Sequence, residues 1–151
     1  DNMLSLGTRL CEYGANMIIK VLDRIDRGSL IKGARQDPAM ATPAPKIKKD
    51  MTTINWDWPS EKIHNWVRGL SPFPGMSTSY KGKRLRLFKT KVMNGKEMRP
   101  GSIIETNDNR LIIGTGQGAL EILELQIEGR KKMHIDDFLR GIELDSGELL
   151  G

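Results

Sequence analysis

Cysteine, histidine and aromatic side chains are all scarce in this chain: one cysteine, two histidines, and three Trp, two Tyr and three Phe among 151 residues. A single thiol, Cys11, excludes an internal disulfide framework and fits a reducing compartment. It falls in the apolar stripe of an expected helix, where inert packing is the ordinary role. His64 and His134 lie far apart with no Cys or His at ligand spacing, so no metal site is expected. Each reads as a surface or capping histidine rather than a catalytic base. No apolar run approaches the roughly 20 residues of a membrane span, and the N-terminus lacks the basic, apolar and small-residue order of a signal peptide. A soluble, intracellular protein with no membrane partner is the expectation.

What is present is organised unevenly. From Thr8 to Ile25, Leu10, Cys11, Gly14, Ile18, Val21, Leu22 and Ile25 recur at mostly three- and four-residue steps, the mark of one amphipathic helix, and Gly28 is a natural stop. A lone helix cannot bury its stripe, and the pattern starts almost at Asp1; a piece of a longer chain, with the partner surface upstream, is expected. Residues 29–50 lose the periodicity. Pro38, Pro43 and Pro45 followed by Lys46, Lys48 and Lys49 predict a stiffened, extended connector and the clearest domain boundary.

All three tryptophans fall in the next stretch, INWDWPSEKIHNWVRGLSPFPG (54–75). Ser60 is positioned to cap a short helix whose Ile63, Trp66, Val67 and Leu70 share one face, with His64 and Arg68 opposite. Trp56, Trp58 and Trp66 could stack on bases, but aromatics beside prolines more often anchor a connector to a core, and packing is the preferred reading. From Met76 onward, short β-rich runs alternate with the turn signals KGK, NGKE, RPG, NDN, GTGQG and EGRKK, which predicts about five strands closing into a small barrel.

Two runs contain a change of phase. Leu85 and Leu87 share a face that Phe88, Thr90 and Val92 continue only if one residue is inserted near Leu87 and Phe88. Leu120 and Ile122 likewise give way to Leu123, Leu125 and Ile127, while Glu121, Glu124 and Gln126 stay outside. A β-bulge in each strand restores the pattern and bends the strand as a tight barrel requires. A last short helix is expected over 135–139, where Asp136 and Asp137 suit the first turn. GTGQG lacks the spacing of a dinucleotide fingerprint and precedes a strand, so it reads as a hairpin turn. No nucleophile, base or cofactor motif emerges.

The net charge of +5 is concentrated: eight cations face one anion between Lys81 and Arg99, a net +7, and further cations cluster before Asp50 and at Arg130, Lys131 and Lys132. With the bulge, Arg84, Arg86, Lys89 and Lys91 project from the outer face of one strand. Such a row points to a polyanion, and an RNA backbone suits it, although a solvated edge strand is the bland alternative.

Three blocks carry a resemblance: APKIKKDMTTINWDWPSEKIHNWVRGLSPFPG (44–75), RPGSIIE (99–105) and ELQIEGRKKMHIDDFLRG (124–141). Together they resemble the linker and C-terminal domain of the methionyl-tRNA formyltransferase family. The opening LGTRLCEYGANMIIKVLDRIDRGSL is similar to the last helix of that family's catalytic domain. The resemblance implies a mainly β fold with a small OB-like Greek-key barrel, preceded by an amphipathic helix, a Pro/Lys linker and a short helix. It divides the chain into the last helix of a Rossmann-like catalytic domain (1–28), a basic linker (29–50) and a tRNA-binding barrel (51–151).

The implied reaction moves a formyl group from 10-formyltetrahydrofolate to the amine of methionyl-initiator tRNA. The family's catalytic Asn, His and Asp and its SLLP folate signature have no counterpart here. No catalytic residue, cofactor or metal is therefore assigned to these residues, and the piece alone is expected to be inactive. The tRNA-binding role carries over to Lys46, Lys48, Lys49, Arg68, Arg130, Lys131 and Lys132; Arg84, Arg86, Lys89 and Lys91 are added from the strand pattern. The implied partner is initiator methionyl-tRNA, the implied full-length enzyme is monomeric, and the implied compartment is bacterial-type cytoplasm or an organelle matrix. Pro43 stands where many members carry an aromatic and Phe73 where many carry Trp, both read as packing positions. The rival readings are the C-terminal domain of a sugar-nucleotide formyltransferase and a stand-alone RNA-binding barrel.

Overall fold

The computed structural model describes residues 1–29, 32–93, 98–107 and 109–151. The expected turn at NGKE (94–97) lies outside them, as does Asp108 of NDN. A 24-residue helix, α1 (Met3–Asp26), opens the chain. It begins earlier than the apolar stripe suggests, because Asn2 and Ser5 form a reciprocal capping box. It ends as expected: Gly28 takes φ +72° and Ser29 N–H donates back to the Arg24 carbonyl at 2.9 Å. No residue of α1 is buried. Cys11 is accordingly exposed rather than packed.

After it, the described residues of the connector are exposed and carry no strand or α-helix, only single 3-10 turns at Pro38–Met40 and Asp50–Thr52. Pro43 is exposed with the rest, rather than buried as a packing position would be. Helix α2 (Ser60–Gly69) then buries Ile63 and Val67 completely. Ser60 does not cap it. Pro59 occupies the cap position, while the Ser60 N–H is taken by the Gln117 carbonyl at 2.9 Å.

Six antiparallel strands follow: β1 (Met76–Tyr80), β2 (Lys83–Met93), β3 (Ile103–Asn107), β4 (Arg110–Gly114), β5 (Ala119–Ile127) and the short β6 (Met133–His134). The order β1-β2-β5-β4-β3, with β6 beside β5, is a Greek key: the β3-β4-β5 meander is flanked on its β5 side by β2. Helix α3 (Ile135–Leu139) occupies the expected residues and buries Ile135 and Phe138. The fold is thus mainly β and barrel-like.

The β1–β2 hairpin turns on two residues, Lys81 and Gly82, both at positive φ, so the backbone twist matches that of the strands. Both expected bulges are present. Leu87 pairs with Leu125 but Lys89 with Glu124, leaving Phe88 extra on β2; Thr90 then pairs with Ile122, leaving Leu123 extra on β5. Leu85, Leu87, Leu120, Ile122 and Leu125 are fully buried in the central cluster. The two extra residues depart from the expected inner face. Leu123 is half-buried, and Phe88 is buried outside that cluster, against Gly75, where a Cβ would come within 2.9 Å of its ring.

Residues 147–151 close the gap between β3 and β1. The Ile103 N–H donates to the Glu148 carbonyl (2.8 Å), Leu150 N–H to Gly101 (2.9 Å), and Gly151 N–H to Ser79 on β1 (3.0 Å). Leu150 is buried in the core, and the Glu148 carboxylate receives the Tyr80 hydroxyl at 2.6 Å and Lys81 Nζ at 2.7 Å. The Lys81 and Tyr80 hydrogen bonds hold the Glu148 carboxyl below its ordinary value. A depressed carboxyl stabilises the fold above its unfolded pKa, about 4.3, and loses that contribution as pH falls through its lower folded value. The wild type should exceed Glu148→Gln in urea midpoint by a constant gap above about pH 5, and the gap should close below about pH 4.3; a gap independent of pH would refute the assignment.

Candidate nucleic-acid interface

Two grooves, separated by the turn that carries Pro72, Phe73 and Pro74, collect most of the expected cations. The first, about 420 Å³, runs between the end of the connector and the β1–β2 hairpin; Lys48 and Lys49 line it from one side, Arg84 and Arg86 from the other. Strand pairing explains the meeting: Arg84 and Arg86 lie opposite Ser79 and Ser77 on β1, and Ser77 bridges Thr53, just after the two lysines. Among the described residues neither lysine nor either arginine makes an ion pair. Arg86 has one weak neutral partner, the Gln126 side chain at 3.4 Å.

The second groove, about 600 Å³, lies on the α2 side and holds Arg68, Lys89 and Lys132 together with His64. Its positive charge is partly cancelled. Lys132 Nζ sits 2.7 Å from the Glu124 carboxylate, whose pKa this hydrogen bond lowers, so the pair stays ionised. His64 Nδ1 is 2.9 Å from the Thr90 hydroxyl, and burial, with Arg68 nearby, pushes the imidazole below its ordinary pKa. At neutral pH His64 is therefore uncharged and adds nothing to the field.

Lys46, Lys91, Arg130 and Lys131 line neither groove. Lys91 lies on the outer face as expected, but 3.8 Å from Glu121. Of the expected cations, then, Lys48, Lys49, Arg84 and Arg86 form one unpaired cluster, and Arg68 and Lys89 border a second in which Lys132 is neutralised.

The tryptophans serve packing. Trp56 is 6% exposed and donates its indole N–H to Thr78 Oγ1 at 3.2 Å. Trp58 and Trp66 pack against the core edge with ring centroids 6.1 Å apart, and Lys62 Nζ sits 3.8 Å above Trp58. Phe73, expected to pack, is instead 76% exposed on the rim of the first groove. The sequence held one cue to this: prolines on both sides fix where the backbone points but leave no neighbouring apolar periodicity to bury the ring.

Among the described residues, no group of three or more His, Cys, Asp or Glu is placed to hold a metal, and no helix is long and apolar enough to cross a membrane.

The family described as "Formyl transferase, C-terminal domain" matches residues 46–143. Across the entire chain the sequence is 39% identical to the methionyl-tRNA formyltransferase of Solibacter usitatus and 42% identical to that of Geobacter metallireducens, covering 48% of each. The chain thus spans about half the length of the curated relatives it matches. Among solved structures, HypX from Aquifex aeolicus superposes in a variant form with a TM-score of 0.62 at 21% identity, over 85% of this chain and 24% of that one. Its complex with tetrahydrofolic acid gives 0.60 at 19%, over 87% and 26%. At such identities these likenesses speak for the fold alone. A family match running from the basic end of the connector through α3, on the barrel just described, places the chain in the formyl transferase C-terminal domain family.

Proposed function

We propose that this chain is the tRNA-holding part of a methionyl-tRNA formyltransferase, which transfers the formyl group of 10-formyltetrahydrofolate to the amine of methionyl-initiator tRNA. The observation that carries the reading is the match over the whole chain to relatives of that name, at 35–42% identity. The cluster of Lys48, Lys49, Arg84 and Arg86 supports the tRNA role, because cations not tied up in internal ion pairs release counterions when they meet phosphates.

In this reading residues 1–28 belong to a catalytic domain that binds the folate, residues 29–50 are the linker, and residues 51–151 are an OB-type barrel. The exposed apolar side chains of α1, among them Leu10, Ile18 and Leu22, support a helix that packs on that domain. The enzyme acts as a monomer in a bacterial-type cytoplasm. Holding the tRNA body on the barrel presents the acceptor end at a fixed geometry, so binding energy far from the reacting atoms lowers the entropic part of the barrier.

Titrating the chain with initiator methionyl-tRNA at several salt concentrations tests this. The logarithm of affinity should fall linearly with the logarithm of salt, by roughly 0.9 per phosphate neutralised. Lys48→Ala combined with Lys49→Ala should shallow the slope by about 2. Lys132→Ala, removing a cation already tied to Glu124, should change it less. Absence of binding at low salt would count against tRNA holding and favour the sugar-nucleotide class.

A further inference from the structure

We infer that Phe73 stacks on an unpaired base of the bound RNA, with Lys48 and Lys49 on one side and Arg84 and Arg86 on the other holding the neighbouring phosphates. The inference rests on the RNA-holding reading above and adds to it a contact with a base, where that reading needs only the backbone.

A single exposed apolar residue is ordinary; the setting of this one is not. Phe73 is 76% exposed at the rim of a groove bordered by four cations, and among the described residues its ring meets no other aromatic ring or cation. Its position is fixed. Prolines flank it, the Gly75 N–H donates to the Leu70 carbonyl at 2.8 Å, and Gly75 is seated directly on the Phe88 ring. A ring on so stiff a turn loses little freedom on binding, since only its own two side-chain torsions remain to be ordered.

Among the described residues no carboxylate lines the groove, so charge complementarity selects a polyanion. An acidic peptide would satisfy the cations yet offer no flat partner to the ring, whereas every nucleobase has a π-face, and pairing an aromatic platform with a cationic track is how single-stranded segments are held without regard to sequence. In a continuous duplex the bases are already stacked on one another. Phe73 therefore acts only where the RNA presents an unpaired base.

The experiment compares the chain with Phe73→Ala and Phe73→Trp on three probes: a 12-nucleotide single-stranded RNA, a blunt RNA duplex of the same length, and polyglutamate. Phe73→Ala should weaken single-strand binding about 5- to 150-fold. It should leave the salt slope and the duplex affinity unchanged, and Phe73→Trp should restore wild-type affinity. Because the side chain is exposed, all three proteins should melt at the same temperature. If Phe73→Ala has no effect, or weakens single strand and duplex alike, the stacking role is overturned while the tRNA-holding reading stands on the slope lost by the Lys48 and Lys49 variants. Tighter binding of polyglutamate than of RNA, or no RNA binding at low salt, would overturn both.

Discussion

Gly116→Ala is expected to destabilise the barrel by more than about 3 kcal/mol, read as a fall in the urea midpoint. An added Cβ would penetrate the backbone carbonyl of Asp57, and nothing at that contact can swing aside. The Gly116 N–H donates to the Trp56 carbonyl at 2.8 Å and shares the Trp58 carbonyl at 3.2 Å, while the adjacent Gln117 carbonyl takes the Ser60 N–H. The hairpin turn between β4 and β5 is therefore clamped, backbone to backbone, onto the segment that carries two tryptophans and starts α2. Gly69→Ala provides the contrast: no atom lies within 4 Å of its would-be Cβ, so on a helix it should be neutral or slightly stabilising. Equal midpoints for Gly116→Ala and the wild type would mean that the clamp does not exist.

The second large effect is expected at Trp56. Trp56→Ala should cost about 3–5 kcal/mol, since it empties a buried indole site and leaves the Thr78 hydroxyl without its donor. Trp58→Ala should cost less, because Trp58 is half-buried and Trp66 and Lys62 remain beside the gap. Urea unfolding separates the two. A loss below about 1 kcal/mol at Trp56 would show that the indole is not part of the core, and that outcome would revive the idea that the tryptophans face a ligand.

Much of this was legible in the residues themselves. The bulges at Phe88 and Leu123 are visible as a broken alternation because strand side chains have a strict period of two. The bounds of α3 and the hairpin role of GTGQG also follow from local pattern. What the sequence conceals is non-local. That Lys91 is set against Glu121 depends on strand neighbours 30 positions apart, and that Lys132 reaches Glu124, 8 positions before it, depends on how the β5–β6 turn folds back. Ser60 has the residue type of a cap, yet its backbone is claimed by Gln117, a partner 57 positions away in numbering. SPFPG fixes a turn without saying which side of it faces the barrel, so the pattern predicts packing for Phe73 where the ring is exposed. The cations of the first groove were legible one by one; that Lys48 and Lys49 meet Arg84 and Arg86 was not, for the bridge from Thr53 to Ser77 joins them across the fold.

The closure of the barrel by residues 147–151 also sets an order in time. During synthesis, at roughly 5–20 residues per second, β1 with β2 and the β3-β4-β5 meander can pair as they emerge. The free edges of β1 and β3 then wait for a segment made after every strand. Until it arrives they present unpaired N–H and C=O groups to any neighbouring chain, including another copy of the same nascent sheet. A ribosome that stops short of Gly147 would release a sheet with all its strands, its β3 edge open and its β1 edge covered only where Ser77 meets Thr53 and Ile54, a species for chaperones or proteases rather than a slightly weaker version of the domain.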